Sequence, residues 1–392
     1  MSADRTRTIR PGRPVAVVVI GLIAVAACSG ARSDARPTGQ GSASTPSSTY
    51  RPPRLPADLN RGIGAPVAVS ALTPATGPLA PAGSFWRQTV TNAPIAGNSP
   101  ELVGQLSRQV ADNWGGTAAF NAWDFNTTVV TVPADQPRVD VVWDDCQHKG
   151  YTPGSLYDAT GQFAKVPIPA NVRTAGGTDK EITVWSPSTD QLWEFWVATR
   201  QADGWHACWG GRMDDVSTGP GYFRYGFGAT ATGLPNAFGM VSFDDVRRGS
   251  IDHAMSLQII GSAAWWKISW PAQRGDGDGS GSIEEGTRFR LDPAVDVETL
   301  GLPPVAKMIA RAAQRYGFVV TDRSGAVAVI GEAGTSLTAN GRPNPWETLL
   351  GDTKSYDLLR GFPWERLQAL PHDYGRPSAT TSGSPTASPA AG

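Results

Sequence analysis

The sequence predicts a mainly β fold: an antiparallel β-sandwich of jelly-roll-like type, decorated by a few helices. Three observations predict it. Short runs rich in β-branched and aromatic residues recur from residue 128 to 330, the pattern of strands rather than long helices. Glycine (45) and proline (32) are abundant and punctuate those runs. Strands from 138 onward, with a late return at 318–330, suit sheets packed face to face.

The elements follow in order. Pro100–Trp114 reads as a helix with Leu102, Leu106 and Val110 on one face. Expected strands are Thr128–Val132, Val139–Trp143, Ile182–Trp185, Leu192–Thr199, Ile251–Ile260, Ala264–Trp270, Thr287–Leu291, Phe318–Thr321 and Ala326–Ile330. Turn residues separate them, for example Ser186-Pro187-Ser188-Thr189-Asp190. Pro303–Tyr316 is a second helix: two prolines start it, Val305, Met308, Ile309 and Ala312 share a face, and Gly317 ends it. No internal repeat is visible.

The ends of the chain read differently. Arg5, Arg7, Arg10 and Arg13 precede an apolar run from Val15 to Ala27, and Cys28 follows the small residues Ala26-Ala27. This is the layout of a secretory signal peptide over 1–27, and the run is short for a membrane span. The cysteine after small residues resembles the lipobox of bacterial lipoproteins. That resemblance implies lipid on Cys28 and a location on the outer face of the cell membrane. The other reading is an ordinary N-terminal anchor. Residues 28–60, rich in Ser, Thr, Pro and Gly, form a disordered tether of roughly 30 Å reach. The folded domain is expected over 61–375, and 376–392 is a second disordered Ser/Thr/Pro/Ala tail.

Composition excludes some functions. A formal net charge of -1 provides no electrostatic footprint for nucleic acid. The expected partners are polysaccharide or another envelope component, with the membrane reached through lipid and the chain a monomer. With Cys28 assigned to lipid, Cys146 and Cys208 remain of the three cysteines. Outside the cytoplasm they either pair with each other or stay as two separate buried thiols.

Asp179 to Trp270 concentrates the chemistry, with eight of the fourteen tryptophans. In Glu181–Trp185 alternate residues place Glu181, Thr183 and Trp185 on one face, and in Leu192–Trp196 they group Leu192, Glu194 and Trp196. If Trp185 pairs with Leu192, two carboxylates and two indoles share one surface. Flat rings stack on sugars, and paired carboxylates supply acid and base. A one-residue slip separates them, and a solvated outer face is the plainer alternative. The candidate catalytic groups are Asp179, Glu181, Glu194, Asp215 and His253, with Trp185, Trp193, Trp196 and Trp209 as sugar platforms. His253 reads either as a satisfied core residue among Ile251, Met255 and Leu257, or as an acid or base partnered by Asp179 or Asp215. His206 shares a face with Cys208 and flanks the expected bridge.

Asp276-Gly277-Asp278-Gly279-Ser280-Gly281-Ser282-Ile283 follows the first eight positions of a calcium loop, with Asp276, Asp278 and Ser280 as ligands. The twelfth position is Thr287 instead of glutamate, so a flexible acidic loop competes with Ca2+ binding, and no other metal or cofactor is expected. No HExxH, CxxC pair, Walker loop or nucleophile elbow occurs.

Thr178-Asp179, Trp193-Glu194-Phe195-Trp196, Gly204-Trp205-His206-Ala207, Trp209-Gly210-Gly211, Gly228–Pro235, Gly249–Ala254, Trp270-Pro271-Ala272, Gly286–Leu291 and the helix ending Tyr316-Gly317 together resemble a family of secreted β-rich proteins of actinobacteria and other soil bacteria, over roughly residues 120–330. That family has no assigned activity, so the resemblance implies placement and a β domain. Its members often carry histidine where this chain has Glu181. These readings lead to a glycan hydrolase or lyase acting on cell-envelope or environmental polysaccharide. The alternatives are a non-catalytic glycan- or protein-binding lipoprotein and a structural envelope protein.

Overall fold

A computed structural model describes residues 77–157 and 161–378. The expected signal peptide (1–27), lipidated Cys28 and tether (28–60), the expected start of the domain at 61–76, and residues 379–392 of the expected tail lie outside the described residues. The strands are β1 (Ala119–Asn121), β2 (Thr127–Thr131), β3 (Val142–Trp143), β4 (Glu181–Ser186), β5 (Gln191–Trp196), β6 (Thr199–Arg200), β7 (Trp205–Ala207) and β8 (Trp209–Met213). β9 (Met255–Ile259), β10 (Arg288–Leu291), β11 (Phe318–Arg323), β12 (Ala328–Ile330) and β13 (Leu367–Ala369) follow. The helices are α1 (Ser99–Ala111), α2 (Asn236–Gly239), α3 (Phe243–Arg248), α4 (Pro304–Arg315), α5 (Thr335–Ala339) and α6 (Trp346–Leu349).

The β-rich expectation holds. Among the described residues a large sheet runs β1-β12-β9-β11-β10-β13, a second β2-β4-β5-β8 and a small one β3-β7-β6. The strands are not all antiparallel, however. β1–β12, β9–β11, β2–β4 and β3–β7 are parallel. Parallel neighbours need long crossovers, and the chain supplies them: the 132–180 segment joins β2 to β4, and β10 with α4 joins β9 to β11.

Both expected helices form, for the expected reasons. In α1, Leu102, Leu106 and Val110 are buried. α4 starts at Pro304 and buries Val305, Met308, Ile309 and Ala312. Gly317 follows it at φ 79°, where a Cβ would lie 2.4 Å from the Phe289 carbonyl, so only glycine fits. These helices bury their apolar stripes with Leu257, Phe318 and Val320 in one core. Val319 and Ile330 of the same sheet join a second core with Ile182, Val184, Trp193 and Phe195. Alternate residues of β11 thus serve opposite cores, which is why its sequence is apolar without alternation.

Several expected strands changed: Ile251–Ile260 keeps Met255–Ile259 and Ala326–Ile330 keeps Ala328–Ile330, and three others changed more. Ala264–Trp270 is a turn-rich loop with isolated bridges at Ala264 and Ile268; its backbone bonds go to Ala264, Gly277 and Glu285 instead of one partner strand. Val139–Trp143 keeps only Val142–Trp143 as strand, with a bridge at Val139. Leu192–Thr199 breaks at Val197, whose φ is 51° and whose N–H leaves the ladder for the Asp179 carbonyl at 2.6 Å. No helix among the described residues is long and apolar enough to cross a membrane.

Candidate functional site

The β4–β5 hairpin decides where the tryptophans and carboxylates go. Its register pairs Trp185 with Leu192, Thr183 with Glu194 and Ile182 with Phe195, so Glu181 and Glu194 share one face as the alternation predicts. On β8 the same face continues through Trp209, opposite Trp196, and Gly211, opposite Glu194. Trp185, Trp196 and Trp209 are half-buried on that face. Trp193 points to the other side, fully buried under the Arg138 guanidinium, away from any ligand on the carboxylate face.

Glu181 and Glu194 lie beneath the surface. Glu194 Oε1 accepts from the Ala237 N–H at 3.0 Å and the Thr183 hydroxyl at 3.2 Å. Glu181 Oε2 accepts from the Asn236 amide at 2.7 Å. Burial, opposed by those donors, lifts Glu194 to about 7. Burial and then the charge of Glu194 hold Glu181 well above the ordinary glutamate range.

Asp179 stands before β4 and is only half-buried. Its Oδ1 accepts the Trp196 indole N–H at 3.3 Å, and burial raises its carboxyl despite that bond. Two neighbours extend the carboxylate row. Asp322 lies on β11 just past a register irregularity between Val320 and Asp322, which sets it opposite Gln258. Such an extra residue re-aims the side chains that follow it. Asp322 accepts from the Ala231 and Arg323 N–H groups at 3.1 and 2.8 Å. Burial first, then the charges of Asp276 and Asp179, lift it to about 7. Glu285 accepts the Asp276 N–H at 2.9 Å through Oε2, and no donor is aimed at its Oε1. Burial, then the hydrogen bond to the Asp276 side chain and its charge, push it to about 9, so the two carboxyls share a proton between them.

The row is therefore Asp179, Asp322 and Asp276, of which Asp276 is exposed and the other two half-buried, backed by buried Glu181, Glu194 and Glu285. Arg274 provides the positive charge. Its Nη2 donates to the carbonyls of Thr230 and Gly228 at 2.6 and 3.3 Å, and burial lowers its pKa against the attraction of Asp322, Asp276 and Glu285.

Exposed rings flank the row. Phe125, 45% exposed, lies against Gly177, where a Cβ would meet its ring at 3.0 Å, two residues before Asp179. Trp265 and Trp266 are exposed and meet edge to face. The Trp265 N–H donates to the Gly277 carbonyl at 2.8 Å, next to Asp276. Tyr225, 87% exposed, precedes Gly226, whose carbonyl accepts the Trp209 indole N–H at 3.2 Å. Trp209 also stacks on Phe227. Gly211 allows this loop to approach: a Cβ there would be 2.7 Å from Gly228 N and 2.8 Å from Phe227 Cβ.

The other candidates lie elsewhere. Asp215 is exposed in a turn at φ 53°, and the next residue, Val216, donates to the Asp190 carbonyl. That turn is at the far end of β4, roughly 20 Å from Asp179 at strand rise. His253 is buried and bonded to the Ala254 carbonyl at 2.8 Å and to Asp245 at 3.3 Å; its partner is neither Asp179 nor Asp215. His206 bridges Asp144 and Asp203 at 2.9 and 3.0 Å, beside the Cys146–Cys208 disulfide, which forms with Cα atoms 5.4 Å apart. In the acidic loop, Asp278 bonds Arg323 at 2.7 Å and both the N–H and the hydroxyl of Ser280. Asp276 faces Glu285 instead of joining Asp278 and Ser280. No group of three or more His, Cys, Asp or Glu among the described residues is arranged to hold a metal.

The sequence reading missed Asp322, Glu285 and Arg274. Only the strand-end position of Asp322 gave a signal. Comparisons with known proteins add no guide: no family model, curated protein or solved structure matches this chain.

Proposed function

We propose that this protein is a surface-tethered glycan hydrolase, held at the membrane by lipid on Cys28 and acting as a monomer on envelope or environmental polysaccharide. In this proposal the two larger sheets form the layers of a sandwich, with the site at their seam. Shared burial of Val319 and Ile330 with Ile182 and Phe195 supports that arrangement.

One observation carries the catalytic reading. Asp322 is half-buried as a residue, burial and the neighbouring carboxyls lift it to about 7, and one of those neighbours is the half-buried Asp179. A general acid works best with a pKa near the operating pH. Asp322 gives its proton to the leaving oxygen as the glycosidic C–O bond breaks. The Asp179 carboxylate faces the positive charge developing at the anomeric carbon and takes a proton from the incoming water. The bond and one water become two chain ends.

Reducing-end release over a panel of polysaccharides tests this. Asp322→Asn is expected to lower the rate about a hundredfold or more without loss of folding. Retention of a glycan with no release by the native protein would instead favour the binding reading.

A further inference from the structure

Rings stand at both ends of the carboxylate row. Trp123 and Phe125 are 40% and 45% exposed. They belong to the loop that meets Gly176 and Gly177, at the Asp179 end. Trp265, Trp266 and Tyr225 are 60%, 64% and 87% exposed. They stand on loops beside Asp276, Gly277 and Arg274, at the other end. Between them lies Asp322, whose neighbour Arg323 donates to the Asp276 carbonyl at 3.4 Å and which feels the like charges of both Asp276 and Asp179. Beneath them Glu285 is buried and bonded to Asp276 through the Asp276 N–H and side chain, which holds the Asp276 end of the row in place.

Resting on the hydrolase reading, we propose that the substrate is an uncharged, β-linked polysaccharide bound across the row and cut at internal bonds. A single terminal sugar would need rings on one side only; rings on both sides fit a chain that continues in both directions. β-linked pyranoses present flat apolar faces that suit aromatic stacking. Asp179 and Asp276 present carboxylates, while the nearby guanidinium groups are already bonded, Arg274 to the Thr230 and Gly228 carbonyls and Arg323 to Asp278 and the Asp276 carbonyl; uronic acids are disfavoured there, because like charges repel in a partly desolvated cleft. Neutral hydroxyls can donate hydrogen bonds to the Asp179 or Asp276 carboxylate without that penalty.

The full-length protein is assayed on mixed-linkage β-glucan, glucomannan and arabinoxylan, with polygalacturonate and alginate as charged counterparts. Early products are sized by chromatography. Oligosaccharides several residues long are expected first, from a neutral polymer. Phe125→Ala and Trp265→Ala are each expected to raise KM for the polymer at least tenfold more than for a trisaccharide of the same sugar. Tyr151→Ala, exposed elsewhere, is the control. Monosaccharide as the first product, a charged polymer as the preferred substrate, or an effect of only one of the two ring variants overturns the internal-cleavage proposal while leaving hydrolysis intact. Absence of release from every polymer, with no retention in affinity electrophoresis, overturns both.

Discussion

Glu332 makes stability fall as pH rises. It follows β12, is buried, and borders a small cavity of about 10 Å³ with Asp245, His253 and Met240. Its Oε2 accepts the Phe243 N–H at 3.0 Å. Burial, only partly offset by that bond, lifts it to about 8 from the usual 4.5. Below 4.5 the folded and unfolded states both hold the proton, and no penalty exists. Between 4.5 and about 8 only the unfolded chain ionises, so stability is lost steadily as pH rises. Each tenfold difference in proton affinity is worth about 1.4 kcal/mol, which sets a ceiling of about 5 kcal/mol. Relaxation and water entry in such sites reduce this to an expected loss of about 2 kcal/mol. Glu332→Gln keeps the shape and the acceptor for Phe243 without the titration. Guanidinium denaturation of native and variant at pH 4.5 and pH 8.5 measures the difference. The variant should gain about 2 kcal/mol on the native protein between those pH values. An equal fall in both proteins would refute the reasoning, since the pH dependence would then come from other groups.

Three other outcomes follow from the same structure. Reducing the Cys146–Cys208 bridge, which spans a sequence separation of 62, should cost about 4 kcal/mol, read as a lower Tm of the Cys146→Ser, Cys208→Ser double variant. Gly211→Ala should destabilise by about 2 kcal/mol through overpacking against Gly228 and Phe227; a Tm within a degree of native would show that the 223–228 loop yields freely. Burial lowers His206, but the bonds from Asp144 and Asp203 outweigh it and raise the imidazole above its usual 6.5. Its contribution is therefore full below 6.5 and lost as pH rises through the raised value. His206→Gln should melt lower than native at pH 5.5 and nearly level with it at pH 8.5; a constant difference would point to packing alone.

The chain alone made the β-rich class, both long helices and the Cys146–Cys208 pairing legible. Local alternation and helical spacing carry that information, and oxidation leaves two cysteines few partners. It also placed Glu181 and Glu194 on one face, because side-chain alternation fixes the face once the turn sets the register. Tertiary structure decided the rest. The start of α2, whose Asn236 side chain and Ala237 N–H bond Glu181 and Glu194, covered those two glutamates, so the more open carboxyls are Asp179, Asp322 and Asp276 instead. The irregularity before Asp322 and the approach of the Gly228 loop bring together residues from three distant stretches of chain, and no spacing rule spans such distances. Burial then raised the carboxyl pKa values, because the cost of charge depends on what packs above a residue, which its neighbours in sequence do not specify.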